Sequence, residues 1–384
     1  MKKNIVKILA VILCSVCFVI YRFYNATNVG DTKTNTVKPN NNMLSMMLET
    51  SAGSGQYEMT TSSSWPTDGY VFNSELSKCE NGGTLSWNDE SKQVVFNGNI
   101  TDKCYIYFDI YVKPSVSISD YIKNLYTGTQ GENELYYHDS NLANGAEDNS
   151  YRYAGASTEV NNYICIGTNE ENCPDDNLYR IIGVFDESNH GIKGQQLVKV
   201  IKNTSYGNFQ WNSVFSNDWS SASLNVTLNS TFKTEKLSGV EDKIADVSWK
   251  LSGYNLTNIT SKTLYTTEIN NTTKTYIGKI GLIYPSDYSF AATPEYWTTN
   301  VGNYNSTAKN KDWLYQSIDE WLLFTYTNDS NYVWYIISSG DVRCDNGGNV
   351  SNSKAVYPSF YLSSDATYSS GKGSQSDPIK IKYI

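Results

Sequence analysis

The residues of this sequence best suited to contacting a ligand are aromatic side chains concentrated in one late segment, between Trp297 and Tyr335. Tyrosine and tryptophan rings stack on sugar rings and also anchor protein interfaces, so the segment favours binding of a glycan or a protein. Some of these rings must also form a core. With two nearby carboxylates they make up the predicted ligand-binding set: Trp313, Tyr315, Trp321, Tyr326, Tyr332, Trp334, Asp341 and Asp345.

The two carboxylates of that set lie in a short stretch rich in oxygen donors. Asp341 is followed by Asp345-Asn346-Gly347, and carboxylate and amide oxygens are the ligands that Ca²⁺ takes in proteins. Such clusters are also common in ordinary turns. We therefore predict no cofactor, with a calcium ion as the alternative.

No catalytic arrangement stands out. The two histidines, His138 and His190, lie in polar segments that predict surface loops, whereas a Ser-His-Asp or Cys-His site needs a well-placed histidine. Asp319 and Glu320 are adjacent, and neighbours on a strand point to opposite faces, which argues against a paired acid and base. The sequence contains no phosphate-binding loop and no HExxH motif. We predict that the protein is not an enzyme.

The overall composition narrows the class of partner. The chain has 384 residues, a formal net charge of -9, 31 tyrosines and 9 tryptophans, while charged residues make up only 18%. Binding of nucleic acid requires clustered Lys and Arg, and such a cluster occurs only near the N-terminus, so nucleic acid is excluded as a partner. Neutral polar and aromatic surfaces are typical of exported binding proteins.

The N-terminus has the pattern of an export segment. Three lysines precede an uncharged run from Ile8 to Tyr21, and cations before an apolar run hold the N-terminus inside the cell. With its flanks the run has about 20 residues and spans roughly 30 Å as a helix, enough to cross a bilayer. We predict a signal anchor over residues 1–27 and a single-pass protein of the cell membrane with its C-terminal part extracellular. The alternative is a cleaved signal and a secreted protein.

Segments with a regular hydrophobic pattern alternate with polar segments that lack one, and this divides the part of the chain after the N-terminal segment into domains and linkers. Residues 28–43 are polar and aperiodic, as in a linker. From Cys104 to Val112 apolar and polar residues alternate, which is typical of a half-buried strand, so residues 44–113 are predicted to form a small antiparallel β domain. A second linker over 114–130, with a short helix, leads to a head over 131–384 that is mainly β with α+β character.

Individual elements of the head are predicted from apolar patterns. Branched runs at 179–185 and 196–201 predict a hairpin, and residues 333–337 and 355–362 predict late core strands. Apolar residues at three- and four-residue steps predict a helix over 238–251.

Five cysteines lie outside the N-terminal segment. In an oxidising compartment Cys79 and Cys104 are the natural pair of the small domain, and Cys165 and Cys173 would close a local loop, which leaves Cys344 unpaired. Closing a loop of about 25 residues contributes roughly 3 kcal/mol, which matters for a small core. Free thiols in a reducing compartment are the alternative, and the export segment argues against them.

Several stretches share a pattern with a known group of proteins: residues 79–87 with 102–109, residues 148–153, residues 173–185, and the closing Tyr357-Pro358-Ser359-Phe360. These stretches resemble uncharacterised exported proteins of low-GC Gram-positive gut bacteria. The resemblance covers nearly the whole outer part. It implies export and an N-terminal anchor, and it brings no known activity.

The C-terminal half has a second resemblance, which rests on Trp313, Glu320-Trp321, Val333-Trp334-Tyr335 and Val356-Tyr357-Pro358. It resembles the C-type-lectin-like fold shared with formylglycine-generating enzymes and some variable bacterial receptors. Where that family often has Arg before the proline, this chain has Tyr357, and the enzyme's cysteine pair has no match because Cys344 stands alone. The resemblance therefore implies a C-type-lectin-like head that binds a ligand.

These expectations combine into one main hypothesis, a surface-tethered binding or adhesion protein (an adhesin) whose C-terminal head recognises an extracellular glycan or protein. The first alternative is a formylglycine-generating-type or other hydrolytic enzyme, and the second is a structural envelope or pilus-like component. Aromatic residues that are all buried would count against the main hypothesis. A deep pocket holding Cys344 would favour the enzyme, and a self-complementary surface would favour the structural component.

Overall fold

The computed structural model describes residues 35–39, 43–66, 68–99, 101–112, 115–255, 259–272, 274–304 and 306–382. The predicted signal anchor over 1–27 lies outside these residues. Among the described residues no helix is both long enough and apolar enough to cross a membrane. The chain divides into two compact units, Met1–Pro114 and Ser115–Ile384. Strands take 33% of the described residues and helices 20%, so the predicted mainly β class is confirmed.

The first unit contains two small sheets that share one apolar core. The strands are β1 (Asn35–Thr36), β2 (Leu44–Glu49), β3 (Tyr57–Met59), β4 (Tyr70–Cys79), β5 (Thr84–Asn88), β6 (Gln93–Asn97) and β7 (Cys104–Ile110). Strands β2 and β7 are parallel and the other pairs are antiparallel, in the orders β3-β2-β7-β4 and β1-β6-β5. The predicted alternation in β7 is confirmed, because Cys104, Ile106 and Phe108 are buried.

The first linker extends less far than the sequence predicts. Asn35 and Thr36, placed in the linker over 28–43, pair with Phe96 and Val95 of β6. Their backbone groups cover an edge of β6 that would otherwise need another partner. Composition did not reveal this strand, because its two residues are polar and lie in a stretch without periodicity.

Both predicted disulfides are present. Cys79 and Cys104 are register partners on β4 and β7, with Cα atoms 3.9 Å apart. Cys165 and Cys173, eight residues apart, close a local loop in the second unit. Cys344 is the free cysteine of the described residues.

The second unit is built on two larger sheets. Its strands are β8 (Leu135–Tyr137), β9 (Tyr151–Tyr153), β10 (Tyr163–Cys165), β11 (Leu178–Phe185), β12 (Leu197–Lys202), β13 (Gly207–Gln210), β14 (Val247–Lys250), β15 (Gly253–Tyr254), β16 (Thr275–Gly278), β17 (Ile280–Gly281), β18 (Glu320–Tyr326), β19 (Val333–Ile336), β20 (Val342–Arg343), β21 (Ser353–Val356), β22 (Ser359–Tyr361), β23 (Tyr368–Ser370) and β24 (Ile379–Ile381). One sheet has the order β17-β22-β12-β11-β10-β24-β23, with β9 beside β11 and β8 beside β9, and the other has the order β13-β21-β18-β19-β20, with β15 beside β18. Strands β14 and β16 form a separate pair.

The predicted hairpin is confirmed as the antiparallel pair β11 and β12. Both strands are buried along their whole length, which explains why the sequence shows continuous apolar runs there instead of alternation. The late strand predicted over 355–362 is split into β21 and β22 by Tyr357-Pro358, since proline cannot donate a ladder hydrogen bond.

Helices in the second unit are short. They are α1 (Ile118–Asn124), α2 (Glu187–His190), α3 (Ser223–Thr227), α4 (Lys233–Lys236), α5 (Ser261–Tyr265), α6 (Pro285–Ala291) and α7 (Ser306–Lys309). A π-helical turn follows α3 at Leu228–Phe232, and another follows α5 at Thr266–Asn270. Single 3₁₀ turns occupy Glu132–Glu134, Asp175–Asn177, Trp219–Ser221, Glu241–Lys243, Pro294–Tyr296, Val301–Asn303 and Asn346–Gly348.

The helix α1 lies inside the predicted linker over 114–130. Its N-cap is Ser117, whose hydroxyl accepts a hydrogen bond from the backbone N–H of Asp120 at 3.0 Å. Ile118 and Ile122 are buried in the main core of the second unit. The predicted short helix is therefore confirmed, and it belongs to the packed unit instead of a linker.

The helix predicted over 238–251 is wrong. The structure has the 3₁₀ turn Glu241–Lys243 and then the strand β14. Gly239 has a φ of 80°, a left-handed conformation that ends helices. Val247 and Trp249 are buried and alternate with half-buried neighbours, which is the period of a strand. The helical spacing arose because buried positions of separate short elements fell three and four residues apart.

Candidate functional site

The three tryptophans of the predicted ligand-binding set are core residues. Trp313, Trp321 and Trp334 are at most 5% exposed. Each indole N–H donates a hydrogen bond to a backbone carbonyl, namely those of Tyr153 at 2.8 Å, Phe209 at 2.8 Å and Tyr254 at 3.2 Å. Their burial therefore argues against direct contact with a ligand. Large apolar rings contribute most to a core when they are fully removed from water, and the indole N–H needs only one partner there.

Two further members of the set form internal contacts. The Tyr315 hydroxyl donates to the carbonyl of Ser338 at 2.8 Å. The Oδ2 atom of Asp341 accepts from the Arg343 guanidinium at 2.8 Å. Neither residue lines the surface cleft that contains Tyr326, Tyr332 and Asp345.

Tyr326, Tyr332 and Asp345 line one open surface cleft of about 570 Å³, together with Cys344, Asn346 and Gly347. We call it the tyrosine cleft. Both tyrosines are half-buried, while Asp345 and Asn346 are exposed. Part of the predicted set therefore converges on a single concave surface.

One wall of the tyrosine cleft is the turn between β18 and β19. Tyr326 ends β18, and Tyr332 directly precedes β19. The side-chain amide of Asn217 donates to the carbonyls of Tyr326 at 3.1 Å, Asp329 at 3.3 Å and Tyr332 at 2.9 Å. Asn217 therefore holds this turn in shape. Sequence reasoning missed it, because a single asparagine gives no signal in so asparagine-rich a chain.

The opposite wall is the turn that begins at Asp345. Its Oδ1 atom accepts hydrogen bonds from the Tyr335 hydroxyl at 2.8 Å and from the backbone N–H of Gly347 at 2.9 Å. A Cβ atom at Gly347 would collide with the Tyr335 hydroxyl, and one at Gly348 would collide with the carbonyl of Val333. The two glycines are needed because the turn lies directly against β19.

Several polar groups of the cleft remain available to a ligand. Within the described part of the chain, no hydrogen bond is made by the hydroxyls of Tyr326 and Tyr332, the Oδ2 atom of Asp345 or the side-chain amide of Asn346. Two tyrosine side chains thus line the cleft beside unbonded hydroxyl, carboxylate and amide groups. This combination suits a ligand that has both apolar faces and many hydroxyls.

Cys344 also lines the cleft, but its thiol is not activated. Burial raises the pKa of the Cys344 thiol to about 12, and the charges of Asp345 and Asp329 add to the rise. The nucleophilic form of cysteine is the thiolate, which needs a lowered pKa. Cys344 therefore stays protonated at neutral pH.

The predicted calcium alternative finds no supporting geometry. Asp341 faces the Arg343 cation at 2.8 Å, which opposes binding of a second cation. The Oδ1 atom of Asp345 is already an acceptor for two donors. Among the described residues, the group with metal-ligand spacing is Cys79, Asp102 and Cys104, whose two sulfurs form a disulfide.

Two other clefts have polar lining groups that already form internal hydrogen bonds. One, of about 520 Å³, includes Thr260, Thr263 and Thr267. There the hydroxyls of Thr260 and Thr263 are 3.1 Å apart, and that of Thr267 donates to the carbonyl of Thr263 at 2.9 Å. The other, in the first unit, includes Tyr57, whose hydroxyl donates to Asp109 at 2.6 Å. The tyrosine cleft is the better candidate because two half-buried tyrosines with unbonded hydroxyls line it beside the unbonded Oδ2 atom of Asp345.

Both histidines are buried, which corrects the prediction that they lie in surface loops. The Nδ1 atom of His138 accepts from the backbone N–H of Ala146 at 3.1 Å, and that of His190 accepts from Ile192 at 3.2 Å. Burial lowers the pKa of both rings, so they are neutral at pH 7. The polar residues on either side suggested exposed loops. Each ring is instead buried and accepts a hydrogen bond from a backbone N–H of its own loop.

No protein-family model, curated protein or solved structure matches the chain.

Proposed function

We propose that this chain is a surface-tethered binding protein whose tyrosine cleft recognises a short glycan. The observation that carries this proposal is the convergence of two tyrosine rings with unused hydroxyl, carboxylate and amide groups in one open cleft. Its volume of about 570 Å³ lies within the range of about 300–1,000 Å³ for small-ligand sites. A protein partner would need a broader contact surface of about 800 Å² on each side.

The proposed scaffold is a C-type-lectin-like head formed by the second unit. Trp313, Trp321 and Trp334, which belong to the motifs of that resemblance, are buried in its core. The two disulfides support a location outside the cytoplasm, because such bonds persist in oxidising compartments. On this proposal residues 1–27 tether the protein to the cell membrane, or are removed to release it.

Physical arguments weigh against the enzymatic alternative. A thiol of raised pKa does not suit formylglycine-type chemistry at Cys344. The adjacent Asp319 and Glu320 differ in environment: Glu320 is 2% exposed in the core, while Asp319 accepts from the backbone N–H of Ser338 at 2.8 Å. No observation favours a structural envelope component.

A glycan array probed with the purified chain and its variants tests the proposal. We expect binding to a subset of glycans, and at least a tenfold loss of affinity in Tyr326→Ala and in Tyr332→Ala. Tenfold corresponds to about 1.4 kcal/mol, an ordinary value for an aromatic side chain in contact with a ligand.

The matched control is Tyr105→Ala, which removes a tyrosine that is 38% exposed in the first unit and should leave binding unchanged. Binding that survives loss of both cleft tyrosines would refute the assignment of the site. An array without any bound glycan would refute the proposed ligand class.

A further inference from the structure

A buried ion pair lies at the centre of the second unit. Nζ of Lys199, on β12, is 2.6 Å from Oδ2 of Asp287, on α6, and the two side chains are 1% and 3% exposed. Removing two charges from water is costly, and a pair in the interior needs further contacts to compensate. Four aromatic rings surround Nζ, with centroid distances of 4.4 Å for Tyr284, 5.4 Å for Trp249, 5.5 Å for Tyr361 and 5.9 Å for Phe185.

A third buried group, Glu268, belongs to the same cluster. It is 0% exposed, and its two carboxyl oxygens accept from the backbone N–H of Ser286, the residue before Asp287, at 3.1 and 3.2 Å. Burial raises the pKa of Glu268 to about 8; hydrogen bonds from Ser286 oppose the rise and the charge of Asp287 adds to it. Burial also lowers the pKa of Lys199. The raised pKa of Glu268 favours its protonated form at pH 7, and its Coulomb interactions with Lys199 and Asp287 place it near the ion pair.

The nearest other charges balance each other. Arg152 pairs with Asp148 at 2.6 Å, and both side chains are at most 4% exposed. With Glu268 neutral, the positive charge of Lys199 and the negative charge of Asp287 balance as well. Moving one proton within the pair, from Nζ to the carboxylate 2.6 Å away, gives the uncharged amine and the uncharged carboxyl group that formation of an amide requires.

We propose that Lys199 and Asp287 condense to form an intramolecular isopeptide bond, with Glu268 as the proton shuttle. Nζ of Lys199, as the free amine, attacks Cγ of Asp287, as the free acid, and forms the Nζ–Cγ bond. Glu268 gives its proton to the departing Oδ1 hydroxyl and regains one from Nζ, so the Cγ–Oδ1 bond breaks and one water molecule leaves. No oxidant, reductant or cofactor is consumed, and the net charge is unchanged.

The surroundings suit this step. The backbone N–H of Tyr284 donates to Oδ2 of Asp287 at 2.8 Å, so it would stabilise negative charge on this oxygen during attack and later bond the amide carbonyl. The rigid core holds amine and carboxyl in contact, which replaces a bimolecular encounter. The two residues are 88 positions apart in the chain. Their bond would cross-link β12 to α6 and restrict the unfolded chain much as a disulfide does.

Mass spectrometry of the purified full chain, reduced and denatured, tests the proposal. We expect most chains to yield, after trypsin digestion, one branched peptide that contains both Lys199 and Asp287. Its mass should equal that of the two component peptides less one water molecule, and trypsin should not cut after Lys199. Recovery of Lys199 and Asp287 only in separate linear peptides from wild-type protein would overturn the proposal.

Two variants separate the chemistry from folding. Glu268→Gln keeps the size of the side chain but removes the acid, so it should abolish the branched peptide while circular dichroism still shows a folded chain. Glu320→Gln changes another carboxyl group that is 2% exposed, and it should leave the branched peptide intact. A branched peptide formed in full yield by Glu268→Gln would contradict the role of Glu268.

Discussion

Replacing Asp148 by Asn is expected to cost about 3–5 kcal/mol of unfolding free energy, because it leaves the buried Arg152 guanidinium without its counter-charge. Arg152 is 2% exposed, its Nη2 lies 2.6 Å from Asp148, and its Nε donates to the Ser150 hydroxyl at 2.8 Å. The rings of Phe185, Tyr265 and Phe290 lie within 5.0 Å of the guanidinium carbon, so water cannot take over the lost interaction. Urea unfolding at pH 7 measures the difference.

The effect of Asp148→Asn should also depend on pH. Burial acts to raise the pKa of Asp148, but the charge of Arg152 and hydrogen bonds from Ser150 outweigh it and lower the pKa to about 2. A carboxyl group with a lowered pKa stabilises the native state above its unfolded pKa of about 3.9, and this contribution is lost as the pH falls towards 2. The difference in unfolding free energy between wild type and Asp148→Asn should therefore decrease by roughly 2 kcal/mol as the pH falls from 5 to 2.

The control for this prediction is Asp120→Asn, which removes an ion pair with Lys123 in which the Asp120 side chain is 56% exposed. Its cost should stay below about 1 kcal/mol, as for other surface pairs. An equally small loss of unfolding free energy in Asp148→Asn, or a loss that does not change with pH, would contradict the stabilisation of Arg152 by this carboxylate.

Trp313→Ala is expected to destabilise the chain by about 3–5 kcal/mol, as other large-to-small core changes do. The ring is fully buried, its N–H donates to the carbonyl of Tyr153 at 2.8 Å, and its face lies 4.6 Å from the Arg180 guanidinium carbon. Thermal and urea unfolding measure the loss. Any loss of glycan binding in this variant should be reversed at lower temperature, where the native state is repopulated.

Tyr332→Ala provides the contrasting case, because Tyr332 is half-buried and its hydroxyl has no partner in the described part of the chain. It should change stability by less than about 1 kcal/mol, as for other sites outside the core, yet it should weaken binding at every temperature. The opposite result, in which Trp313→Ala is as stable as wild type but does not bind, would indicate that Trp313 contacts the ligand and would contradict its role in the core.

The fold was predictable where a pattern had one physical cause. β11 and β12 are buried on both faces, so their apolar runs could only be core elements. The two disulfides followed from spacing and compartment. The helix over 238–251 failed because its spacing came from residues of separate elements. The strand β1 was missed because Asn35 and Thr36 lie in a polar stretch without periodicity.

The candidate site was predictable only as a region. Composition located the aromatic segment, but it cannot separate Trp313 in the core from Tyr332 at the cleft, because both positions look alike in the sequence. That separation depends on how the turn containing Trp313 and the turn containing Tyr332 pack against the rest of the unit. The contact of Asn217 with the Tyr326–Tyr332 turn joins residues about a hundred positions apart, and no local pattern could predict it.

The most direct test of the central claim is a crystal structure of the chain with the glycan that binds best on the array. We predict a sugar ring stacked on Tyr326 or Tyr332, with its hydroxyls bonded to Oδ2 of Asp345 or to the Asn346 amide. A glycan seated in the threonine-lined cleft around Thr263, or elsewhere on the chain, with the tyrosine cleft empty, would contradict the proposed function of this cleft.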